Sequence, residues 1–280
     1  MLALNIVRLY AILEKTKAAA SRRETGMLPS ERQKKILELA TTKEVVTIPE
    51  LMNTFDISIE TVRRDLSILE KQGALQKIYG GAKIKEATFY EPAMESRMID
   101  QLVQKEAIGK KCCEFIHDGN CIFIDSGTTT YHIAKHLTHK KNLTIITNSI
   151  PVINELMATD FEIIIIGGKI RHSERSVVSY DYIFNFSQLN IQKSFICASG
   201  ITVENGVSDF NMQEAVTRKM IIERSKEVFV AADSSKFDKD VTISIAGLNK
   251  IDYIITDANL SKNTANSFKK CATRLILADS

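Results

Sequence analysis

The sequence lacks several features that would name a function outright. It contains no GxGxxG and no GxxxxGKS/T, so dinucleotide and nucleoside triphosphate binding have no motif to rest on. No apolar run approaches the roughly 20 residues of a membrane helix, and the longest, Ile163 to Ile166 with its flanks, is strand-sized. The five cysteines, Cys112, Cys113, Cys121, Cys197 and Cys271, form no CxxC and no repeating spacing. That usage fits free thiols in a reducing cytosol, with Cys121 and Cys197 as small hydrophobes in apolar strands. An excess of one charge is missing too: 37 Lys and Arg face 34 Asp and Glu, a net +3. Contact with nucleic acid must therefore come from local charge placement. There are no internal repeats and no low-complexity stretches.

What is present divides into parts. The 280 residues, 44% of them hydrophobic, suit a small domain joined to a medium one. Residues 1–29 form an N-terminal extension whose apolar spacing suggests an amphipathic helix. With Asn5 and Arg8 inside the apolar stretch, no basic region before it and no convincing cleavage site, a signal peptide is not expected. Met27 precedes a better domain start, so residues 1–26 are either an accessory helix or a mis-assigned start. Residues 30–85 read as three helices and a hairpin, 86–104 as a linker containing Pro92, and 105–280 as a larger α/β domain.

In the first domain Ser30 is expected to cap a helix, ERQKKILELA, with Ile36, Leu37, Leu39 and Ala40 as its apolar stripe. Thr47 caps a short helix to Phe55, and Glu50 three residues on completes a capping box. After a turn at Asp56–Ile57, Ser58 opens a third helix that Gly73 closes. Val62, Leu66 and Leu69 share one face of it for packing. That leaves Ser58, Thr61, Arg64 and Asp65 on other faces, flanked by Glu60 and Arg63. A helix of this kind fits the major groove, where arginine donates to guanine. LQKIYGGAKI then alternates about Gly80–Gly81 as a hairpin. Lys71, Lys77, Lys83 and Lys85, with Tyr79 at the tip, make it a basic wing suited to phosphates.

From residue 105 strands alternate with helices. CIFID, LTIIT, FEIIII, KSFICAS, EVFVAAD, DYIITD and RLILA are continuously apolar, the pattern of a parallel sheet covered on both faces. Polar residues gather at the strands' C-terminal ends: Asp125 to Thr130, Thr147-Asn148-Ser149, Gly167 to Lys169 with Arg171, and Asp233 to Lys236. Ligands of open parallel sheets collect on that side. A glycine- and hydroxyl-bearing turn before a helix can present N–H groups to an anion, though capping alone would also account for its hydroxyls.

The stretch SERQKKILELA with TIPELMNTFDISIETVRRDLSILEKQGALQKIYGGA resembles the N-terminal domain of the DeoR family of bacterial regulators. DSGTTT, TNS, GGKIR, ASG, EAVTRKMI and ADSSKF follow in that family's order, so the resemblance covers residue 30 to about 257. It implies a winged helix-turn-helix followed by an α/β sensor with a mainly parallel sheet, similar in fold to ribose-5-phosphate isomerase and coenzyme A transferases. It implies DNA contact by Ser58, Thr61, Arg63 and Arg64, to which the wing adds Lys77, Tyr79 and Lys83. It also implies that Asp125, Ser126, Gly127, Thr128 and Thr129 hold a phosphorylated sugar, with Thr147, Asn148, Lys169, Asp233 and Lys236 lining the cavity. Where many members read EAEVKR, this chain has Glu214-Ala215-Val216-Thr217-Arg218-Lys219, so the resemblance carries Arg218 and Lys219 over only weakly.

The resulting expectation is a cytoplasmic repressor of a carbohydrate uptake or catabolism operon. It would bind double-stranded operator DNA as a homodimer or homotetramer, release it on binding the sugar phosphate, and need no cofactor. A sugar-phosphate isomerase or deaminase carrying a DNA-binding module, with Asp125, Asp233 and Lys236 moving protons, is the alternative. A purely structural DNA-bridging protein would leave the polar strand ends unexplained. His132 and His136 have metal-ligand spacing, but no glutamate stands between them, and they are read as surface or capping residues.

Overall fold

The computed structural model describes residues 27–71, 74–84, 91, 94–178 and 188–279. The helix read into residues 1–26, the closing Gly73, Lys85 and Pro92 lie outside them. The chain forms two compact units, divided after residue 87.

In the first unit α1 (Pro29–Lys43) begins two residues earlier than expected. Its N-cap is Leu28 with no side-chain bond, and Ser30 falls within the first turn because Pro29 supplies a ready-made helical φ there. A short strand β1 (Val45–Thr47), unforeseen in the sequence, leads into α2 (Ile48–Phe55). The capping box forms: Thr47 Oγ1 accepts from the Glu50 N–H at 3.3 Å, and the Glu50 carboxylate accepts from the Thr47 N–H at 3.5 Å. Asp56 takes the left-handed conformation, φ 50°, that turns the chain into α3 (Ile59–Lys71). Strands β2 (Leu75–Ile78) and β3 (Gly81–Ile84) make the wing hairpin, with Gly80 at φ 79° in its turn. β1 pairs antiparallel with β3, giving the order β1-β3-β2. Val62, Leu66 and Leu69 are buried with Ile36, Ala40, Val46 and Leu51. Each such side chain contributes about 1.5–3 kcal/mol on burial.

One charged residue of α3 was misplaced by the sequence pattern. Asp65 does not project outward; it is buried and accepts from Arg32 Nε at 2.6 Å and Gln33 Nε2 at 2.9 Å. With both oxygens engaged, the carboxylate ties α3 to α1.

In the second unit α4 (Met94–Ile99) and the start of α5 (Leu102–Cys113) occupy the stretch read as a linker. Then come β4 (Cys121–Ile124), α6 (Tyr131–Lys135), β5 (Thr144–Thr147), α7 (Ile150–Leu156) and β6 (Glu162–Ile165). A hairpin of β7 (Lys169–Arg171) and β8 (Ser176–Val178) precedes β9 (Ile191–Ile196). β10 (Gly200–Thr202), β11 (Gly206–Asp209), α8 (Met212–Arg224), β12 (Ser225–Ala231), β13 (Ile243–Ala246), β14 (Tyr253–Asp257), α9 (Lys262–Phe268) and β15 (Arg274–Ala278) complete the chain.

The main sheet has seven strands in the order β15-β14-β12-β9-β4-β5-β6, all parallel. One face packs against α5, α6 and α7 through residues such as Ile108, Ile133 and Val152. The other carries α8, whose Ala215 and Ile221 share a core with Phe123, Ile146 and Ile254. Phe195, Phe229 and Tyr253 stack across three neighbouring strands, with centroids 5.0 and 4.6 Å apart. The smaller antiparallel sheet β10-β11-β13 was not foreseen. Among the described residues no helix is long and apolar enough to cross a membrane.

Strand order locates the site. From β4 the chain proceeds to β5 and β6 on one side, then crosses back to β9, β12, β14 and β15 on the other. The sheet therefore reverses direction between β4 and β9, and a crevice opens there beyond the strands' C-terminal ends.

Candidate functional site

Two segments meet at that crevice, the turn after β4 and the one after β9. Ser126, Gly127, Thr128 and Thr129 from the first line a cleft with Cys197, Ala198 and Ser199 from the second. Its volume is about 420 Å³, counting the part open to solvent. Thr130 Oγ1 clamps the first turn by donating to the carbonyls of Asp125 at 2.7 Å and Gly127 at 3.2 Å. Glycine is required at 127 because a Cβ there would lie 2.6 Å from Cys197 Sγ. Among the described residues the backbone N–H groups of Gly127, Thr128 and Thr129 have no acceptor.

Beneath the turn lies a buried charge cluster centred on Arg218 of α8. Arg218 Nε donates to Asp125 Oδ2 at 2.6 Å and Nη1 to Asp209 Oδ2 at 2.6 Å, while Nη2 lies 3.0 Å from Cys197 Sγ. Arg218 is 3% exposed and Asp125 is 0%. The other oxygen of Asp125 accepts from the Ser126 N–H at 2.8 Å. Glu214 accepts from Ser176 Oγ at 2.6 Å and Ser126 Oγ at 3.1 Å. Burial holds its carboxyl above the ordinary range against the pull of Arg218. The thiol of Cys197 is also part of this polar cluster, donating to Asp125 Oδ2 at 3.0 Å, and is not the apolar filler expected.

The outer wall comes from the segment by which the chain enters this unit and from the β7–β8 hairpin. Arg97 pairs with Glu174 and lies 3.8 Å from Glu91; Arg171 pairs with Glu91 and, at 3.5 Å, with Glu214. Lys236 completes the lining, and among the described residues its ammonium has no hydrogen bond or ion pair. Burial pushes its pKa below the ordinary lysine value. Every arginine in the cleft is matched with carboxylates, so this lysine and the free N–H groups are its uncommitted positive features.

Not every expected ligand reaches the cleft. Thr147, at the end of β5, is fully buried and donates to the Ile124 carbonyl at 2.6 Å. Asn148 braces Ser126 Oγ at 3.2 Å and leaves its own Oδ1 without a partner among the described residues. Asp233 caps the short 3₁₀ turn Ser234–Lys236. Lys169 lies exposed on β7, away from the lining, because β7 turns out of the main sheet into its own hairpin. The histidine pair also differs from expectation. His132 is buried and bonds through Nδ1 to Glu106 at 2.5 Å, with His136 Nε2 2.8 Å from the same carboxylate. No group among the described residues could hold a metal ion.

In the first unit Ser58 Oγ accepts from the Thr61 N–H at 3.3 Å and lies 3.1 Å from Thr61 Oγ1. Arg63 and Arg64 are exposed, and neither side chain has a partner among the described residues. Tyr79 stands fully exposed at the wing tip, and Lys83 is exposed on β3. Lys77 is not free as expected: Glu70, at the end of α3, lies 3.4 Å from its ammonium.

Both units match known families: the DeoR-like helix-turn-helix domain over residues 32–88, and the DeoR C terminal sensor domain over 100–258. The chain belongs to the DeoR family of transcriptional regulators. It is 38% identical over 216 residues to the HTH-type transcriptional regulator IolR of Bacillus subtilis, covering 77% of this chain and 86% of that one. It is 32% identical to the glycerol-3-phosphate regulon repressor of Escherichia coli strain K12 over 83% of this chain and 92% of that one. The putative aga operon transcriptional repressor of Escherichia coli O157:H7 is 30% identical over 95% and 99%. A ribose 5-phosphate isomerase from Methanocaldococcus jannaschii aligns with a TM-score of 0.38 at 13% identity over 49% of this chain and 55% of that one.

In this DeoR-family chain the sequence reading missed Glu91, Arg97, Glu174, Asp209 and Glu214, and underweighted Arg218. One signal was available: Glu214 and Arg218 stand four apart on a helix, and their charged groups lie 3.9 Å apart. The others come from distant segments whose charges carry no local signature.

Lys105 gives the unit a testable pH dependence. Its ammonium is buried and donates to the carbonyls of Arg97 and Asp100, and burial lowers its pKa from 10.5 to about 8. The folded protein thus releases this proton before the unfolded chain does. Between pH 8 and 10.5 the unfolded state binds more protons, so this group's contribution to stability rises with pH. Urea midpoints of wild type and Lys105→Met, compared from pH 7 to 10, should diverge in favour of wild type as pH rises. A constant difference would mean that Lys105 titrates normally.

Proposed function

We propose that the chain is a repressor of a carbohydrate uptake or catabolism operon, released from operator DNA by a phosphorylated sugar. The observation that carries this reading is the free Lys236 ammonium in the same cleft as the uncommitted N–H groups of Gly127, Thr128 and Thr129. An anion placed there gains charge-assisted bonds without displacing a protein carboxylate. Glu91, Glu174 and Glu214 around it are acceptors suited to sugar hydroxyls. The named repressor of the glycerol-3-phosphate regulon among its relatives agrees with such an effector. Ser58, Thr61, Arg63, Arg64, Tyr79 and Lys83 would meet the DNA, with Lys77 exchanging Glu70 for a phosphate. Asp125, Thr147, Asn148 and Asp233 would shape the cleft from behind. The protein would act in the cytoplasm as a homodimer or homotetramer, and a two-fold dimer implies an inverted-repeat operator.

The isomerase alternative is disfavoured by Asp125. Both of its oxygens are engaged and it has no exposed surface, so it is poorly placed to move a substrate proton.

The test is a thermal-shift series with sugar phosphates, each beside its unphosphorylated sugar. A cognate effector at a hundredfold excess over its dissociation constant stabilises the folded state by about 2.7 kcal/mol. Lys236→Ala should remove most of the shift. If no phosphosugar shifts the melt of a protein that still binds its promoter, the effector reading fails.

A further inference from the structure

The wall of the cleft that faces the anion turn includes residues of the connector, the segment that carries the chain from the first unit into the second. Arg97 of α4 and Glu91 before it line the cleft together with Ser126 to Thr129 and Lys236. Arg97 is held by Glu174 and Glu91, and Glu91 is held in turn by Arg171 of β7. Glu95 extends this contact with the hairpin, 3.4 Å from Arg175. The C-terminal end of α4 is fastened by buried Lys105, which donates to the carbonyls of Arg97 and Asp100.

We propose that Arg97 is a ligand of the effector's phosphate supplied by the connector, and that binding operates by exchange of its carboxylate partner for that phosphate. This rests on the anion-site reading above and adds the route by which occupancy reaches the DNA-binding unit. Arg97 and Lys236 are two cations lining one cleft, and the guanidinium adds to burial in pushing the lysine's pKa down. A phosphate bridging them relieves that repulsion. It also competes with Glu174, whose carboxyl burial already raises above its ordinary pKa. Once Arg97 turns toward the phosphate, the Arg97–Glu174 tie between connector and hairpin opens. The positions of Glu91 and of residues 94–100 then depend on occupancy, which supplies the differential contact that a switch requires.

The test uses the full chain with inorganic phosphate and the sugar-phosphate panel. Binding is read by calorimetry and the connector by amide hydrogen exchange over residues 94–101. Arg97→Gln should weaken phosphate binding about 10-fold to 100-fold, the scale of a lost charge-assisted bond, and Arg97→Lys should recover part of it. Glu174→Gln should tighten binding, because the anion no longer displaces a carboxylate. In wild type, saturation should change exchange in the connector; in Arg97→Gln it should not. Unchanged binding by Arg97→Gln, when Lys236→Ala has lost it, would overturn this inference and leave the anion site standing. So would a connector whose exchange ignores saturation. Normal binding by Lys236→Ala would instead remove the anion-site reading itself. Should Arg97→Gln fail to fold, the sign of the Glu174→Gln effect decides.

Discussion

Arg218→Leu is expected to destabilise the second unit by about 3–5 kcal/mol, the usual cost of leaving buried charges without their partner. The arginine is 3% exposed, and its guanidinium is the common partner of Asp125 and Asp209. Leucine would supply apolar volume but leave two buried carboxylates facing each other, and each would take up a proton or draw in water. The variant's stability should therefore recover in part as pH falls and those carboxylates protonate. Asp125 also anchors the Ser126–Thr129 turn through the Ser126 N–H, so under the proposed function the surviving folded protein should bind phosphosugar weakly. Urea unfolding followed through the second unit, at pH 7 and pH 5, measures both effects. A loss below about 1 kcal/mol would show that the cluster is well hydrated and contributes no more than a surface pair.

The second large effect belongs to the first unit. Arg63→Ala combined with Arg64→Ala should lower operator affinity about 100-fold or more, since each arginine lost from a guanine or phosphate contact costs roughly 1–3 kcal/mol. Both side chains are exposed and have no hydrogen bond or ion pair among the described residues, so folding stability should change by no more than about 0.5 kcal/mol. Fluorescence anisotropy on a promoter fragment separates their roles. A residue that meets phosphate reduces the salt dependence by about one counterion when removed, whereas one that meets a base relaxes sequence preference. Wild-type affinity in the double variant would mean that this face of α3 does not enter the groove. Asp65→Ala is the useful contrast. It should destabilise the unit by releasing Arg32 and Gln33, and weaken DNA binding only as far as α3 loses its seat.

These two sites differ in how far they could be read from the sequence alone. The recognition helix declares itself locally. Thr47 and Glu50 cap α2, Val62, Leu66 and Leu69 repeat at helical spacing, and what remains on α3 is exposed almost by subtraction. Asp65 escaped that reading because its partner Arg32 lies on another helix, 33 residues away. In the second unit the apolar runs marked the strands of the main sheet, and the turn from Asp125 to Thr130 marked the edge where the cleft opens. Periodicity and capping are short-range effects, set by which side chains a helix or strand turns inward.

The charge lattice of the cleft was decided by tertiary structure. Arg218 reaches Asp125 across 93 residues, and Arg97 reaches Glu174 across 77. Neither pairing has a local pattern, because a charge shows its partner only once folding has taken both out of water. Lys169 illustrates the converse. It follows a strand of the main sheet as regularly as the other candidates, yet the chain leaves the sheet there for the β7–β8 hairpin and carries it to solvent. The sequence by itself determined the three helices and wing of the first unit, the strands of the main sheet and the edge of that sheet where a ligand would sit. Which charges line that edge, and that the connector supplies one of them, depended on the topology that brings distant segments to a single crevice and excludes water from between them.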